Sequence, residues 1–298
     1  MAKGYQTQDL KQKLVEVLSN SKTGLSGVEI SEKLGINRVT MTKYLNIFAT
    51  EGLLHQKNIG NVNLWFIEED TKQFEFPNDY FIVKTKYLEL LTSLNEQKTY
   101  NLIRNCIHSN VNTTKLITQV IIPSIESIQE LFVQGKISKS EEKLLGKIIS
   151  NSLQMLNLIG TEIDSRKNVI IISADSKSSL ISESASATFH SEGWRVSLLG
   201  DMSDSIDVIF DLDLQKFLGK VWTKKNGVMI IIIFSETNDG LRFFSQAVNS
   251  VKGKFGKNLN LILCSKIKKN SALKADLFAD NLETVLQWSE TTFERIIS

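Results

Sequence analysis

Apolar residues recur at helical spacing along the first fifty residues of the chain. One stripe occupies positions i, i+4, i+7 and i+8 and consists of Leu10, Leu14, Val17 and Leu18. A second helix is predicted from a capping box, Ser26 with Glu29, to a stop at Gly35. A third helix has an inward stripe at i, i+4 and i+7, formed by Met41, Leu45 and Phe48. Only three residues separate the second and third helices, which predicts helix-turn-helix geometry.

The outward positions of the third helix, and the segment after it, carry groups that suit a DNA groove. Residues 53–67 alternate around a short polar tip, which predicts a β-hairpin. Arg and Lys suit guanine or phosphate, Asn suits adenine, and Thr suits the backbone or a thymine methyl group. The candidate DNA-binding residues are Arg38, Thr40, Thr42, Lys43 and Asn46 on the helix, and Lys57 and Asn61 on the hairpin.

The hydrophobic pattern changes twice along the rest of the chain. Residues 68–80 are charged, contain a proline and fit a linker. Residues 81–165 give four amphipathic stretches with short polar connections, which predicts a four-helix bundle. Residues 166–298 alternate short β-branched runs with helical stretches, which predicts an α/β domain with a parallel sheet. Its strands are expected at 169–172, 194–199, 228–234 and 259–263.

Charge narrows the kinds of partner that the chain can have. The formal net charge of the 298 residues is only +2, so any contact with nucleic acid needs a local basic surface. Residues 1–67 carry eight Lys/Arg against five Asp/Glu, which is a modest excess. Moderate affinity per copy favours a homodimer or higher oligomer on double-stranded DNA.

Several classes of protein are disfavoured by the composition. Cys106 and Cys264 lie far apart without metal-ligand spacing, which argues against a disulfide framework and a zinc site. The polar N-terminus and the short apolar run at 228–234 predict a soluble, cytoplasmic protein without a membrane span. No nucleophile elbow, Walker loop or paired catalytic carboxylates occur in the sequence, so we expect no enzymatic activity.

The N-terminal pattern resembles a known family of DNA-binding domains. The stretch LSGVEISEKLGINRVTMTKYLNIFATEGLL (25–54) is similar to the winged helix-turn-helix domains of prokaryotic transcription regulators. The resemblance covers about residues 8–67 and implies binding to double-stranded DNA. The alternative for this domain is a winged helix that serves only protein contacts.

The remaining chain, from about residue 85, resembles a cobalamin-binding module. IIPSIESIQELFVQGKISKSEEKLLGKIIS (121–150) is similar to the helical cap that precedes such domains in corrinoid proteins and in cobalamin-dependent MerR-type regulators. GWRVSLLGD (193–201) and ADLFADN (275–281) resemble strands of its Rossmann-like fold. The resemblance implies a multidomain α and α/β fold class: winged helix-turn-helix, four-helix bundle, then a Rossmann-like domain.

The residues that hold cobalamin in that family are altered in this chain. Phe132 stands where the family has a tryptophan, and Glu142-Lys143 stands where it has a Glu-His pair. In the loop after the first strand Asp175 remains, but the axial histidine is Lys177 and the glycine is Leu180. A later glycine pair is also missing, at Cys264-Ser265. A protonated lysine suits cobalt ligation poorly.

We therefore expect a retained fold without ordinary cobalamin binding. The residues that could contact a different, unidentified small ligand are Phe132, Glu142, Lys143, Asp175, Lys177 and Ser178.

Three further stretches of the second part leave their roles open. The loop 173–182 could cradle an anion or be a solvated capping loop. The aspartates Asp201, Asp204, Asp207, Asp211 and Asp213 could bind a metal or serve as caps. Seven lysines at 252–274 form either a second DNA-facing or partner-facing patch or a solvated face.

The leading functional hypothesis is a DNA-binding regulator with a sensing or oligomerising C-terminal module. The alternatives are a corrinoid-binding sensor and a protein-interaction adaptor that does not bind DNA.

Overall fold

The chain folds into two compact units, Met1–Gln73 and Phe74–Ser298. The computed structural model describes residues 7–19, 21, 23–50, 53–59, 62–67, 74–205, 210–223, 226–267 and 273–297.

The first unit contains three helices and a small antiparallel sheet. Its elements are α1 (Thr7–Ser19), β1 (Leu25–Ser26), α2 (Gly27–Leu34), α3 (Arg38–Thr50), β2 (Leu54–Ile59) and β3 (Val62–Ile67). The three helices and the hairpin expected from the sequence are therefore present. Strand β1 was not expected: Leu25 pairs with Trp65 and Ser26 with Leu64, giving the order β1-β3-β2.

Local signals in the sequence set the geometry between α2 and α3. The Ser26 hydroxyl accepts the Glu29 N–H at 3.2 Å, and the Glu29 carboxylate accepts the Ser26 N–H at 2.7 Å, closing the capping box. Gly35 ends α2 in the left-handed region at φ 63°. The Asn37 side chain accepts the Val39 N–H at 2.9 Å and starts α3. This short turn fixes which face of α3 is buried.

The second unit begins with a helical segment. Its helices are α4 (Tyr80–Thr92), α5 (Glu96–His108), α6 (Thr113–Leu116), α7 (Ile122–Val133) and α8 (Lys139–Asn157). A π-helical turn, Ile117–Ile121, joins α6 to α7 without a break. The π-turn lies directly before α7, and Pro123 stands in the first turn of α7.

A five-stranded parallel sheet with helices on both faces completes the second unit. Its elements are β4 (Asp164–Ser173), α9 (Ser179–Ser191), β5 (Trp194–Asp201), α10 (Phe210–Val221), β6 (Val228–Phe234), α11 (Asn238–Phe255), β7 (Leu259–Cys264), β8 (Leu277–Ala279) and α12 (Leu282–Ile297). The strand order is β5-β4-β6-β7-β8. All four strands expected from the sequence are present, and the mixed α/β class with a parallel sheet is confirmed.

Alternate residues of the central strands belong to two different cores. Val169 and Ile171 of β4 pack with the helices α4–α8, while Ile170 and Ile172 pack with α10 and α11. The segments 81–165 and 166–298, expected as separate domains, therefore share one hydrophobic cluster and form one compact unit.

Part of the segment 68–80, which was expected to be a linker, also belongs to this shared cluster. Phe74 and Tyr80 are buried in that shared cluster, because these aromatic side chains cover the end of the helical segment. Residues 68–73 lie outside the described part of the chain.

One helical stretch, Thr113–Val133, is long and apolar enough to cross a membrane by length and composition alone. Its apolar side is a core face of the second unit, where Leu116, Ile117, Val120, Ile121 and Ile125 are buried. The outer side is polar, with Lys115, Glu126 and Glu130 exposed. This arrangement is that of a core helix in a helical layer.

Candidate functional site

The outward face of α3 is a polar stripe on the first unit. Met41, Leu45 and Phe48 are fully buried and hold the opposite face against the core. Four of the predicted DNA-binding side chains, Arg38, Thr42, Lys43 and Asn46, are exposed on the outward face.

The other predicted DNA-binding residues differ in position. Thr40 is half-buried, because it lies next to the inward stripe. Lys57 is exposed on β2, with its ammonium 5.5 Å from the Phe66 ring centroid. Asn61 lies outside the described residues.

One exposed residue on α3 was missed by the sequence interpretation. Val39 is 79% exposed although it is apolar. It lies on the same side of the helix as Thr42, Lys43 and Asn46, at spacings of three, four and seven residues. The same periodicity that assigned the polar residues could have identified it.

The second unit has a cleft at the carboxyl ends of β4, β6 and β7, bounded on its other side by α7. The cavity volume is about 220 Å³. Its lining residues are Thr118, Ile122, Glu126, Gln129, Ser178, Ile181, Phe234, Ser235, Glu236, Cys264, Ser265, Lys266, Asp280, Asn281, Leu282 and Glu283. Ligands of open parallel sheets bind at this edge, where the strand order reverses. Here the reversal falls between β4 and β6.

The Asp175 carboxylate lies at this reversal and accepts hydrogen bonds from the loops on both sides of it. One carboxylate oxygen accepts the Ser178 N–H at 3.0 Å and the Ser178 hydroxyl at 2.8 Å. The other accepts the Ser235 hydroxyl at 2.8 Å and the Glu236 N–H at 2.7 Å. The loops after β4 and β6 are therefore joined by one carboxylate.

The start of α11 is packed against the same junction. A Cβ added at Gly240 would lie 2.9 Å from the Ser235 and Thr237 hydroxyl oxygens and 3.0 Å from the Ala174 Cβ. The glycine is required because the helix approaches both loops closely. The chain itself occupies the crevice between β4 and β6.

The structure brings only one of the predicted ligand-contacting residues, Ser178, into the cleft lining. Phe132 lies under the Lys139 ammonium, 4.7 Å from its ring centroid, and Lys139 pairs with Glu142. Lys143 is exposed on α8, and Lys177 is exposed on a 3₁₀ turn. Asp175 serves the internal hydrogen bonds described above.

The residues present do not fit cobalamin held through an axial histidine. The corresponding position is Lys177, and no described residue lining the cleft is a histidine. Leu180 packs in the core beside α8, where a Cβ added at Gly146 would lie 3.5 Å from its Cδ1. The side chain thus fills the space between α8 and α9.

The chemistry of the cleft does not suit a soft metal or a nucleophilic thiol. Burial raises the pKa of the Cys264 thiol to about 12, so it is protonated at neutral pH. Within the described ranges, no three His, Cys, Asp or Glu side chains lie close enough to hold a metal ion. Asp207 of the aspartate-rich stretch lies outside those ranges.

Several residues of the lysine-rich stretch 252–274 have local partners. Lys252 pairs with Asp276, and the Lys254 ammonium donates to the Gln215 side chain at 2.7 Å. The Lys266 ammonium lies 2.6 Å from a Glu126 carboxylate oxygen and closes one side of the cleft. Lys268 and Lys269 are outside the described residues.

Comparison with solved structures identifies the fold of the second unit. The monomethylamine corrinoid protein of Methanosarcina barkeri is similar with a TM-score of 0.54 and 13% identity, covering 72% of this chain and 98% of that chain. The methanol:cobalamin methyltransferase complex from Methanosarcina barkeri has a TM-score of 0.37 and 11% identity, covering 74% of this chain and 82% of that chain. No family model and no curated protein matches this chain. The chain therefore contains a corrinoid-protein fold with a Rossmann-like sheet.

Replacing Asp175 by Asn tests whether the β4–β6 junction depends on this carboxylate. An amide has one oxygen in place of two, so at least two of the four donors lose their acceptor. We expect the free energy of unfolding to fall by about 2 kcal/mol. Urea denaturation followed by circular dichroism measures the change. The matched variant Asp239→Asn, at a highly exposed carboxylate, should shift stability by no more than about 0.5 kcal/mol. Equal effects of the two substitutions would contradict the role given to Asp175.

Proposed function

We propose that this chain is a DNA-binding transcriptional regulator. In this proposal the first unit is a winged helix that reads double-stranded DNA. The second unit, with its corrinoid-protein fold, senses a ligand or sets the oligomeric state without using cobalamin. The observation that carries the proposal is an exposed polar stripe on α3, the second helix of a tight helix-turn-helix. The stripe consists of Arg38, Thr42, Lys43 and Asn46.

The order of elements in the first unit supports this reading. Three helices are followed by a hairpin that pairs with β1, which is the arrangement expected of a winged helix. In such a domain the second helix of the helix-turn-helix enters the major groove. Arg38 and Lys43 would then meet guanine or phosphate, and Asn46 would meet adenine. Lys57 on β2 would contact phosphate as part of the wing.

The modest charge of the first unit supports assembly on DNA. Eight basic against five acidic residues over 1–67 predict weak binding by a single copy. Two linked copies make the second contact intramolecular and increase the overall affinity. The second unit would supply that link by self-association, so its ligand or assembly state would control DNA occupancy.

Three features of the second unit support a function without cobalamin. The axial position is a lysine, Leu180 occupies space between α8 and α9, and Asp175 ties together the loops where the strand order reverses. A cavity of about 220 Å³ is also smaller than the roughly 300–1,000 Å³ of typical small-molecule sites. The rival function, a corrinoid-binding sensor, is favoured by the fold likeness alone.

Removing single cations from α3 tests the DNA-binding role. Arg38→Ala and Lys43→Ala should each weaken binding to double-stranded DNA about tenfold and reduce the salt dependence by about one counterion. Fluorescence anisotropy with a labelled duplex at several salt concentrations measures both effects. Lys98→Ala, which removes one exposed charge from α5, should bind like the wild type. Wild-type binding by both α3 variants would contradict the role given to α3, and absence of DNA binding by the wild type would favour the protein-interaction adaptor.

Titration with hydroxocobalamin tests the proposal for the second unit. We expect no saturable change in the visible spectrum, because no histidine is in place to ligate cobalt. Colour should separate from the protein on a desalting column. Stoichiometric, retained colour would overturn this part of the proposal and identify a corrinoid sensor.

A further inference from the structure

We propose that the cleft at the carboxyl ends of β4, β6 and β7 binds a small organic cation with an apolar body. The regulatory consequence of this binding rests on the function proposed above, but the binding itself does not. The proposal follows from the shape, the charge and one backbone acceptor of the cleft.

The shape of the cleft fits a small ligand with an apolar part. Ile122, Ile181, Phe234 and Leu282 supply apolar lining from four different elements. A volume of about 220 Å³ is on the order of seven times the liquid volume of a water molecule. Seven waters hold about seven non-hydrogen atoms and covalently bonded atoms pack more closely, so the occupant is a molecule of about ten non-hydrogen atoms or fewer, much smaller than a macrocyclic cofactor.

The charge of the lining favours a cation. Glu126 is paired with Lys266, but Glu236, Asp280 and Glu283 form no ion pair with any described residue. The N-termini of α9, α11 and α12 oppose this with about half a positive charge each. One amide near each of these helix starts is already used, since Asp175, Thr237 and Asn281 accept from Ser178, Gly240 and Thr284. The full charges of three carboxylates therefore outweigh the partial charges of the helix ends.

The π-turn adds an acceptor at the wall of the cleft. The Ile122 N–H donates to the Ile117 carbonyl, so it does not reach Thr118. Pro123, the next candidate donor, has no N–H. The carbonyl of Thr118, a lining residue, thus accepts no hydrogen bond from Ile122 or Pro123, the donors that the α- and π-helical patterns would provide. Such a carbonyl is a suitable partner for an ammonium or another N–H donor.

Lys266 already places an ammonium group in this acidic surround. Its 2.6 Å contact with Glu126 bridges the end of β7 and α7 at the mouth of the cleft. An organic ammonium would compete with Lys266 for Glu126. A metal ion is disfavoured, because no group of His, Cys, Asp or Glu among the described residues converges as ligands.

Three probes that share a phenyl ring and differ in charge test the proposal. Isothermal titration calorimetry of the full chain with 2-phenylethylamine, 2-phenylethanol and phenylacetate should rank the amine tightest and the carboxylate weakest. We expect the amine to bind about fivefold tighter than the alcohol, as for a partly exposed charge pair. The double variant Glu236→Gln, Asp280→Asn should remove this preference and leave the affinity for the alcohol unchanged.

A second variant separates ligand binding from a structural effect. Lys266→Met frees Glu126, so it should raise the affinity for the amine about threefold. The matched variant Lys257→Met, at an exposed lysine outside the lining, should leave it unchanged. Preference for phenylacetate, or no saturable amine binding up to about 10 mM, would overturn the proposal. These measurements contain no DNA, so a failure of the regulator proposal would show separately, as absent DNA binding by the wild type.

The exposure of Val39 carries a second, independent inference. The structure assigns this residue a role in base recognition, as a contact to a thymine methyl group, and this rests on the proposed DNA-binding function. Its side chain is 79% exposed between the polar groups of the α3 stripe. An apolar side chain in the major groove gains by covering the methyl group that only thymine among the four bases carries.

Replacing thymine by deoxyuridine removes this methyl group without changing base pairing. On a duplex selected by the wild-type protein, one such replacement should weaken binding about fourfold, the value of one buried methyl group. Val39→Ala should bind both duplexes equally, while Ile47→Ala, at another exposed apolar position of α3, should keep the difference. If the replacement of thymine by deoxyuridine still weakened binding by the Val39→Ala variant, this would contradict the assignment. Absence of wild-type binding to any duplex would instead contradict the proposed function.

Discussion

The hydrogen bonds of the Asp175 carboxylate are the constraint on which the carboxyl edge of the second unit's sheet depends. They join the loops after β4 and β6, the strands between which the order of the sheet reverses. An open parallel sheet usually admits its ligand at this point. Here the chain satisfies its own donors there, and the cleft that remains lies between α7 and the carboxyl ends of β4, β6 and β7. The likeness to a corrinoid protein is a likeness of fold.

Regular patterns predicted most of the fold. The spacing of Met41, Leu45 and Phe48 gave the buried face of α3, and the β-branched runs gave the strands, because period alone decides these elements. Strand β1 could not be predicted, since its two residues are too few to show an alternating pattern. The shared core was also missed: Phe74 and Tyr80 look like linker residues until the helices they cover are in place.

The exposed stripe on α3 was predicted better than the lining of the cleft in the second unit, for a physical reason. The residues of the α3 stripe lie on one helix, so their spacing in the sequence predicts which of them share its exposed face. The cleft joins residues as distant as Glu126 and Lys266, which only the tertiary fold brings within 2.6 Å. The predicted ligand residues came from resemblances of the helical cap and of the loop after the first strand, and only Ser178 lines the cleft. Positions 61, 207, 268 and 269 lie outside the described part of the chain.

In the proposed function, ligand binding by the second unit and DNA binding by the first unit are linked through the affinity of the oligomer for DNA. A first unit with few excess cations gains most from being held in more than one copy. A ligand that alters self-association of the second unit would then change DNA occupancy without touching the DNA-reading surface. Free-energy coupling of this kind is reciprocal, so DNA binding would change the affinity for the ligand by the same factor.

Selection of binding sites from a pool of random double-stranded oligonucleotides would test whether the chain recognises a DNA sequence. We expect enrichment of a recurrent motif with two spaced half-sites, since an oligomer presents two copies of α3. Recovery of no motif above background, by a protein whose circular dichroism shows it to be folded, would contradict the claim that the chain is a sequence-specific DNA-binding regulator.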